Sequence, residues 1–237
     1  MSAPAKKAPM LSRRPQLSED VADHVRGLIM SGQVRPGQYI RLDDTAHELG
    51  VSVTPVREAL LALRGEGMVR QVPHRGYIVT DLSRADVEDI FWLQEQIAVR
   101  LTLRAAERAD DEDLVALRTL CDRLAEAAGA GDLEQIIDAE FVFHRTINRI
   151  ARGRKLAWFL HGAVRYTPHR LYAADPGWAE HAVACHRELI AAISRGDHAA
   201  VADCTRRLYT DGATRLLAHL DRIGMWDEQE DAQAAGA

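Results

Sequence analysis

The stretch from Asp43 to Thr80, DDTAHELGVSVTPVREALLALRGEGMVRQVPHRGYIVT, limits the possible folds more than any other part of the chain. Asp43 and Asp44 sit where carboxylates favour a helix N-terminus, and Gly50 sits where a helix stops in the left-handed region. Ala46 and Leu49 give this short helix its apolar side. A second helix opens at Ser52 or Thr54, either of which can cap it, with Pro55 pre-set for the first turn. Its apolar set is Val56, Leu60, Leu61 and Leu63, while Arg57 and Arg64, seven apart, share another face. Gly65 and Gly67 end it, and Met68-Val69 and Tyr77-Ile78-Val79 read as strands flanking Pro73-His74-Arg75-Gly76. Two helices at a tight turn, followed by a basic hairpin, follow the winged helix-turn-helix plan. Its second helix enters the major groove of DNA.

A structural helical hairpin with solvated arginines would share the same elements. The cap-Pro-Val-Arg-Glu helix start and the basic, glycine-bearing hairpin tip favour DNA. On this reading Arg57 reads or clamps the duplex, and Ser52 and Thr54 contact phosphate or base edges. His74, Arg75 and Gly76 form a wing tip at the minor groove or backbone, and Arg41 adds a phosphate contact. Charge divides at the same place. Residues 1–80 hold 11 Lys+Arg and 8 Asp+Glu, a net +3, and the remainder holds 19 and 27, a net −8. A basic head on an acidic body suits a DNA-reading module joined to a domain with a different partner.

Residues 1–15 are Ala, Pro and basic residues without periodicity, which predicts a disordered arm whose Lys6, Lys7, Arg13 and Arg14 are solvated or touch phosphates. Leu17, Val21, Val25, Leu28 and Ile29 then recur at helical spacing behind Ser18 as cap, and this helix should close the core of a DNA-binding domain over 16–81. Ser83 and Asp86 form a capping box that opens a body over 84–224. Helices are expected near 84–109, 112–129, 133–151, 155–173, 178–195 and 198–222, with a frayed tail at 225–237. Gly131-Asp132 and Gly196-Asp197 each pair a helix-ending glycine with an N-cap acid. The fold class is mainly α: an N-terminal winged helix-turn-helix with a small β wing, then an antiparallel all-helical bundle. No apolar run approaches a membrane span, and Cys121, Cys185 and Cys204 show no CxxC spacing, so reduced thiols in a cytoplasmic protein are expected.

In the body, Glu140 and His144 are one helical turn apart, and His186 opens a second amphipathic segment. A carboxylate and an imidazole on one turn, joined by an imidazole from a facing helix, can hold Zn²⁺, Ni²⁺ or Mn²⁺. The same Glu–His spacing also occurs as an ordinary surface hydrogen bond.

The run LGVSVTPVREAL, with Pro36-Gly37 before it and PHRG after it, resembles the DNA-binding domain of the GntR family of bacterial transcription regulators over roughly residues 16–80. Val53 stands where that family usually has Arg. The later segments resemble the FCD ligand-binding domain of the FadR-type branch. Phe143-His144 matches, as do His186, Ala192-Ile193 and Gly196-Asp197. The acid is Glu140 rather than Asp, Leu208 replaces the branch's last histidine, and Gln94 stands where many relatives have a pocket Arg. Cys204, one turn before Leu208, is either a partial substitute ligand or a packed thiol. The resemblance implies a ligand-responsive homodimeric repressor of operator DNA. Its effector would be a carboxylate or another metabolite bound near Gln94, Cys204 and Leu208, with a divalent metal on Glu140, His144 and His186. The alternative is a metal-dependent hydrolase or lyase using those three residues.

Overall fold

The computed structural model describes residues 15–73 and 75–226. The expected arm at 1–14, wing residue His74 and the tail from 227 onward lie outside them. The chain divides into two compact units. The first runs up to Val25 and resumes from Gly37 to Thr80; the second takes Arg26–Pro36 and everything from Asp81.

In the first unit, α1 (Pro15–Met30) contributes its first part, where Val21, Ala22 and Val25 are buried. Pro15 begins α1, so Ser18 lies inside the helix rather than capping it. Strand β1 (Tyr39–Ile40) follows, then α2 (Leu42–Glu48), the left-handed Gly50 and α3 (Val53–Gly65). Helix α3 buries Val56, Ala59, Leu60 and Leu63 and leaves Leu61 exposed; the apolar side is one residue away from the expected set. Strands β2 (Val69–Val72) and β3 (Gly76–Val79) form the wing. Strand β1, too short to show a period in the sequence, joins them to give an antiparallel sheet in the order β1-β3-β2. Tyr39 pairs with Ile78 and Ile40 with Tyr77, so Ile40 and Tyr77 face the core together. Gly76 is required here: its φ is 97°, and a β-carbon would come within 2.9 Å of the Ile40 carbonyl oxygen.

The second unit is a helical body. It comprises α4 (Arg84–Ala106), α5 (Asp111–Ala130), α6 (Leu133–Ile150), α7 (Arg154–Val164), α8 (His169–Ala173), α9 (Pro176–Ser194) and α10 (His198–Arg222). Its caps follow the sequence. Ser83 Oγ accepts from Asp86 N while Asp86 Oδ2 accepts from Ser83 N at 2.8 Å. Asp132 and Asp197 cap α6 and α10 after the left-handed Gly131 and Gly196. Helix α9 starts earlier than expected because Asp175 caps it and Pro176 occupies its first turn.

The helix expected over 155–173 is two helices. Pro168 has no N–H to continue the ladder and disfavours helical backbone at Thr167. Tyr166 and Thr167 instead bond back to Ala163 and Val164 in a tight turn. Gln94 locks this turn from α4: fully buried, its Nε2 donates to the Ala163 carbonyl at 3.0 Å and its Oε1 accepts from Thr167 Oγ1 at 3.3 Å.

The first unit does not extend unbroken over 16–81, because residues 26–36 belong to the body. Gly32 is left-handed and lies against Leu220 and Ile223, Arg35 donates to the Ile223 carbonyl, and His219 Nε2 meets the Ser31 carbonyl at 3.1 Å. Arg26 is fully buried, with its guanidinium 5.7 Å from the Tyr166 ring centroid. At the other end Met225 is buried and Trp226 Nε1 donates to Asp221, so the body continues past the residues expected to fray first.

Helix α10 packs on α4 and α9, α5 on α6 and α9, and α4 on α7. Gly212 lets α10 approach α4, since a β-carbon there would meet Phe91 at 3.1 Å. The Tyr172 hydroxyl donates to the Gly212 carbonyl at 2.6 Å, and burial pushes that phenol up.

Candidate functional site

In the first unit, the sequence-predicted residues gather around the start of α3 and the wing. Ser52 is the N-cap of α3 in extended backbone, yet its hydroxyl makes no capping hydrogen bond and is exposed. Thr54 and Arg57, on the first turns, are also exposed. Arg41 precedes α2 as its N-cap residue. An open groove of 710 Å³ is lined by Arg41, Arg57, Arg75 and Gly76, together with Tyr39, Asp43, Gln71 and Tyr77. Three arginines therefore converge on one surface, separated in sequence by up to 34 residues (75 − 41). Arg64 is engaged elsewhere. Its Nη1 donates to Gln71 Oε1 at 2.9 Å and ties α3 to β2. Tyr39 and Gln71 are groove residues that the sequence did not signal. A two-residue strand carries no periodicity, and Gln71 brings no charge to the outward side of β2.

The body's candidate site is built on a buried His186 with Glu140 and His144 half-buried beside it. Glu140 and His144 lie on α6 and His186 on α9. His144 Nε2 is 3.1 Å from Glu140 Oε2, and His186 Nε2 is 3.0 Å from Glu140 Oε1. One ligand atom from each residue falls within 4.8 Å of the other two. His186 has no exposed surface, and its ring stacks on Phe143 at 3.9 Å and 6°. Phe143 thus fixes the imidazole plane, a role its spacing beside His144 did not reveal.

The hydrogen bonding here is incomplete. Glu140 Oε1 and both ring nitrogens of His186 are buried without a hydrogen-bond partner. The 3.0 Å approach between Glu140 and His186 has the distance of an ion pair but lacks hydrogen-bond alignment. A cation coordinated by these atoms would supply the partner that they lack. Burial pushes the Glu140 carboxyl up, but the neighbouring His186 and His144 imidazoles outweigh it, holding the group well below the usual carboxylate range.

The remaining pocket residues divide. Leu208 and Tyr209 are half-buried against the body's core, and Tyr209 is close enough for the Glu140 charge to add to the upward push of burial on its phenol. Cys204 lies outside the three-donor group: its Sγ accepts from Arg207 at 3.3 Å and sits 3.9 Å from Glu188. Gln94 is occupied in the α7–α8 turn. Burial also pushes the Cys121 thiol up and the Cys185 thiol up to about 11, so both are protonated packing groups at neutral pH.

Two family descriptions match this chain. "Bacterial regulatory proteins, gntR family" covers residues 17–79, and "FCD domain" covers residues 89–211, more than half the length. The chain belongs to the GntR family and carries an FCD domain. It is 25% identical to the HTH-type transcriptional regulator McbR of Escherichia coli over 87% of this chain and 95% of that protein. The solved McbR structure superposes with a TM-score of 0.67, covering 88% and 99% of the two chains. An HTH-type regulator of Agrobacterium vitis is 31% identical over 52% of this chain and 74% of its own length. A relative from Paenarthrobacter nicotinovorans, 28% identical over 78% of this chain and 81% of its own, is named a probable D-xylose utilization operon transcriptional repressor. As a GntR regulator, the chain is a ligand-responsive DNA-binding protein: the winged helix reads DNA and the FCD body receives the small molecule. The hydrolase reading gives way to this one.

Proposed function

We propose that this regulator is a cytoplasmic homodimeric repressor without enzymatic activity. Its body would hold a divalent ion of the Zn, Ni or Mn class on Glu140, His144 and His186, and respond to a small carboxylate or similarly oxygen-rich metabolite. The observation that carries the metal reading is the buried, unpartnered set of Glu140 Oε1 and the His186 nitrogens. Leaving such groups without partners costs about 1–3 kcal/mol each, which a coordinated cation removes. Repression is the direction named for the Paenarthrobacter relative.

Each residue then has a role. Glu140 bridges two helices from α6, and Phe143 holds the His186 plane. His144 is the most exposed of the three, its side chain a third accessible against 12% for Glu140, and marks the open side of the site. When bound, the ion supplies a positive centre with room for an effector oxygen, since Leu208 donates nothing. Tyr209, beside Glu140, offers a phenolic hydrogen bond to the same ligand. In the head, Arg57 and Thr54 address base edges or phosphate while Arg41 and Arg75 clamp the backbone. Two-fold symmetry places two such heads on a pseudo-palindromic operator. Effector binding shifts the dimer between states of different operator affinity.

The test uses fluorescence anisotropy with duplex DNA from the gene's own upstream region. Salt-sensitive binding is expected, weakened by candidate carboxylates in the parent but not in Glu140→Ala/His144→Ala. Sustained turnover of such carboxylates without DNA binding would contradict the proposal.

A further inference from the structure

Two exposed polar side chains beside the arginine groove hold each other. Arg64 lies in the last turn of α3, and Gln71 lies on β2, paired with Tyr77 of β3. Arg64 Nη1 donates to Gln71 Oε1 at 2.9 Å. The chemistry of the pair fixes which end of the amide faces the helix. A guanidinium has five N–H donors and no acceptor, so only the amide oxygen can meet it. The Gln71 nitrogen keeps both of its N–H groups, and among the described residues it makes no hydrogen bond. Gln71 lines the groove in which Arg41, Arg57 and Arg75 converge, whereas Arg64 is not among the lining residues. The end of the amide left over for the groove is therefore the donor end.

We propose that Gln71 contacts DNA as a donor-only group, and that Arg64 is the positioning residue that keeps it so. The atom it meets is a hydrogen-bond acceptor, either a phosphate oxygen or the acceptor edge of a base. Glutamine commonly reads adenine through both ends of its amide, the oxygen accepting from N6 while the nitrogen donates to N7. With the oxygen turned to Arg64, that pairing is closed. What remains suits guanine O6 or N7, thymine O4, or phosphate. A free glutamine amide rotates to present either end. The Arg64 bond selects one end before DNA arrives, so binding has less ordering to do. Gln71 carries no charge, so it adds direction to a groove whose attraction comes from arginines. This inference rests on the winged helix reading DNA and on nothing in the helical body.

Fluorescence anisotropy on the full chain tests it, using a duplex that the parent selects from a random pool, with thermal unfolding as the folding control. Gln71→Ala should bind about three- to tenfold more weakly. Gln71→Glu keeps a partner for Arg64 but replaces both donors with carboxylate oxygen, and should lose at least about tenfold. Arg64→Met should lose about two- to threefold. Arg64→Lys, which can still donate to the Gln71 oxygen, should recover most of that. Added to Gln71→Ala, Arg64→Met should cost nothing more, and its slope of log affinity against log salt should stay parental. Selecting sites again with Gln71→Ala separates the two acceptors. Relaxed preference at one base pair marks a base edge, and uniform weakening across sequences marks phosphate. Gln71→Ala binding as tightly as the parent would overturn the contact, whatever Gln71→Glu does. Further weakening when Arg64→Met joins Gln71→Ala, with a slope shallower by about 1, would overturn the positioning role and make Arg64 itself a phosphate contact. A parent that selects no duplex would overturn the DNA reading and this contact together.

Discussion

The head and the body place their functional groups in opposite physical states. Arg41, Thr54, Arg57 and Arg75 are exposed, solvated and free of internal ion pairs among the described residues, ready to exchange water for phosphate and bases. Glu140 Oε1 and the His186 nitrogens are withdrawn from water and left without a hydrogen bond. A site for a large polyanion can rely on surface charge that costs the fold nothing. A site for a small ligand must be enclosed, so its donors are desolvated before the ligand arrives, and packing must hold them there. Mutations should therefore act mainly on affinity in the head and on affinity and stability together in the body.

The sharpest separation comes from Phe143→Ala. Phe143 is fully buried in the body's core and stacked on His186, so its loss should cost about 3–5 kcal/mol and release the imidazole plane. Thermal unfolding would show the drop; a melting temperature near the parent's would mean that His186 is held by other contacts. Arg57→Ala should leave the melting temperature unchanged and weaken operator binding on the order of 10- to 100-fold, with the slope of log affinity against log salt shallower by about 1 if the lost contact is to phosphate. Unaltered affinity would break the head's half of the comparison. Ser83→Ala is the smallest change. It removes one side of the α4 capping box and should cost about 1 kcal/mol in urea titration, with operator affinity unaffected.

The contrast also explains what could be read in advance. The head was legible because its signals are local: Gly50, Pro55 and Gly76 each demand a particular backbone, and the arginines follow from helix and turn positions. The body's capping signals were equally local and gave most helix ends correctly. Where the sequence misled, the deciding contact lay far along the chain or the element was too short to show a period. Apolar spacing runs through Pro168 without interruption, yet the α7–α8 turn is fixed from α4 by Gln94, 73 residues before Thr167. That same contact explains why Gln94, singled out for an effector pocket, is already engaged. Ala59 rather than Leu61 faces the core of α3, a difference that a run of small and large apolar residues does not encode. Residues 26–36 read as part of the head, but Gly32 and Arg35 turn them onto the end of α10. The three donors were visible as residue types. Their convergence depended on α6 facing α9, and the Phe143 stack that orients His186 is a tertiary contact.

The most direct test is metal content, by elemental mass spectrometry, of untagged protein purified without chelator, beside Glu140→Ala/His144→Ala. Near-stoichiometric divalent metal in the parent and none in the variant is the predicted result. A parent that remains metal-free after incubation with Zn²⁺, Ni²⁺ and Mn²⁺ would contradict it, and Leu208 would then mark a site that has lost its ion.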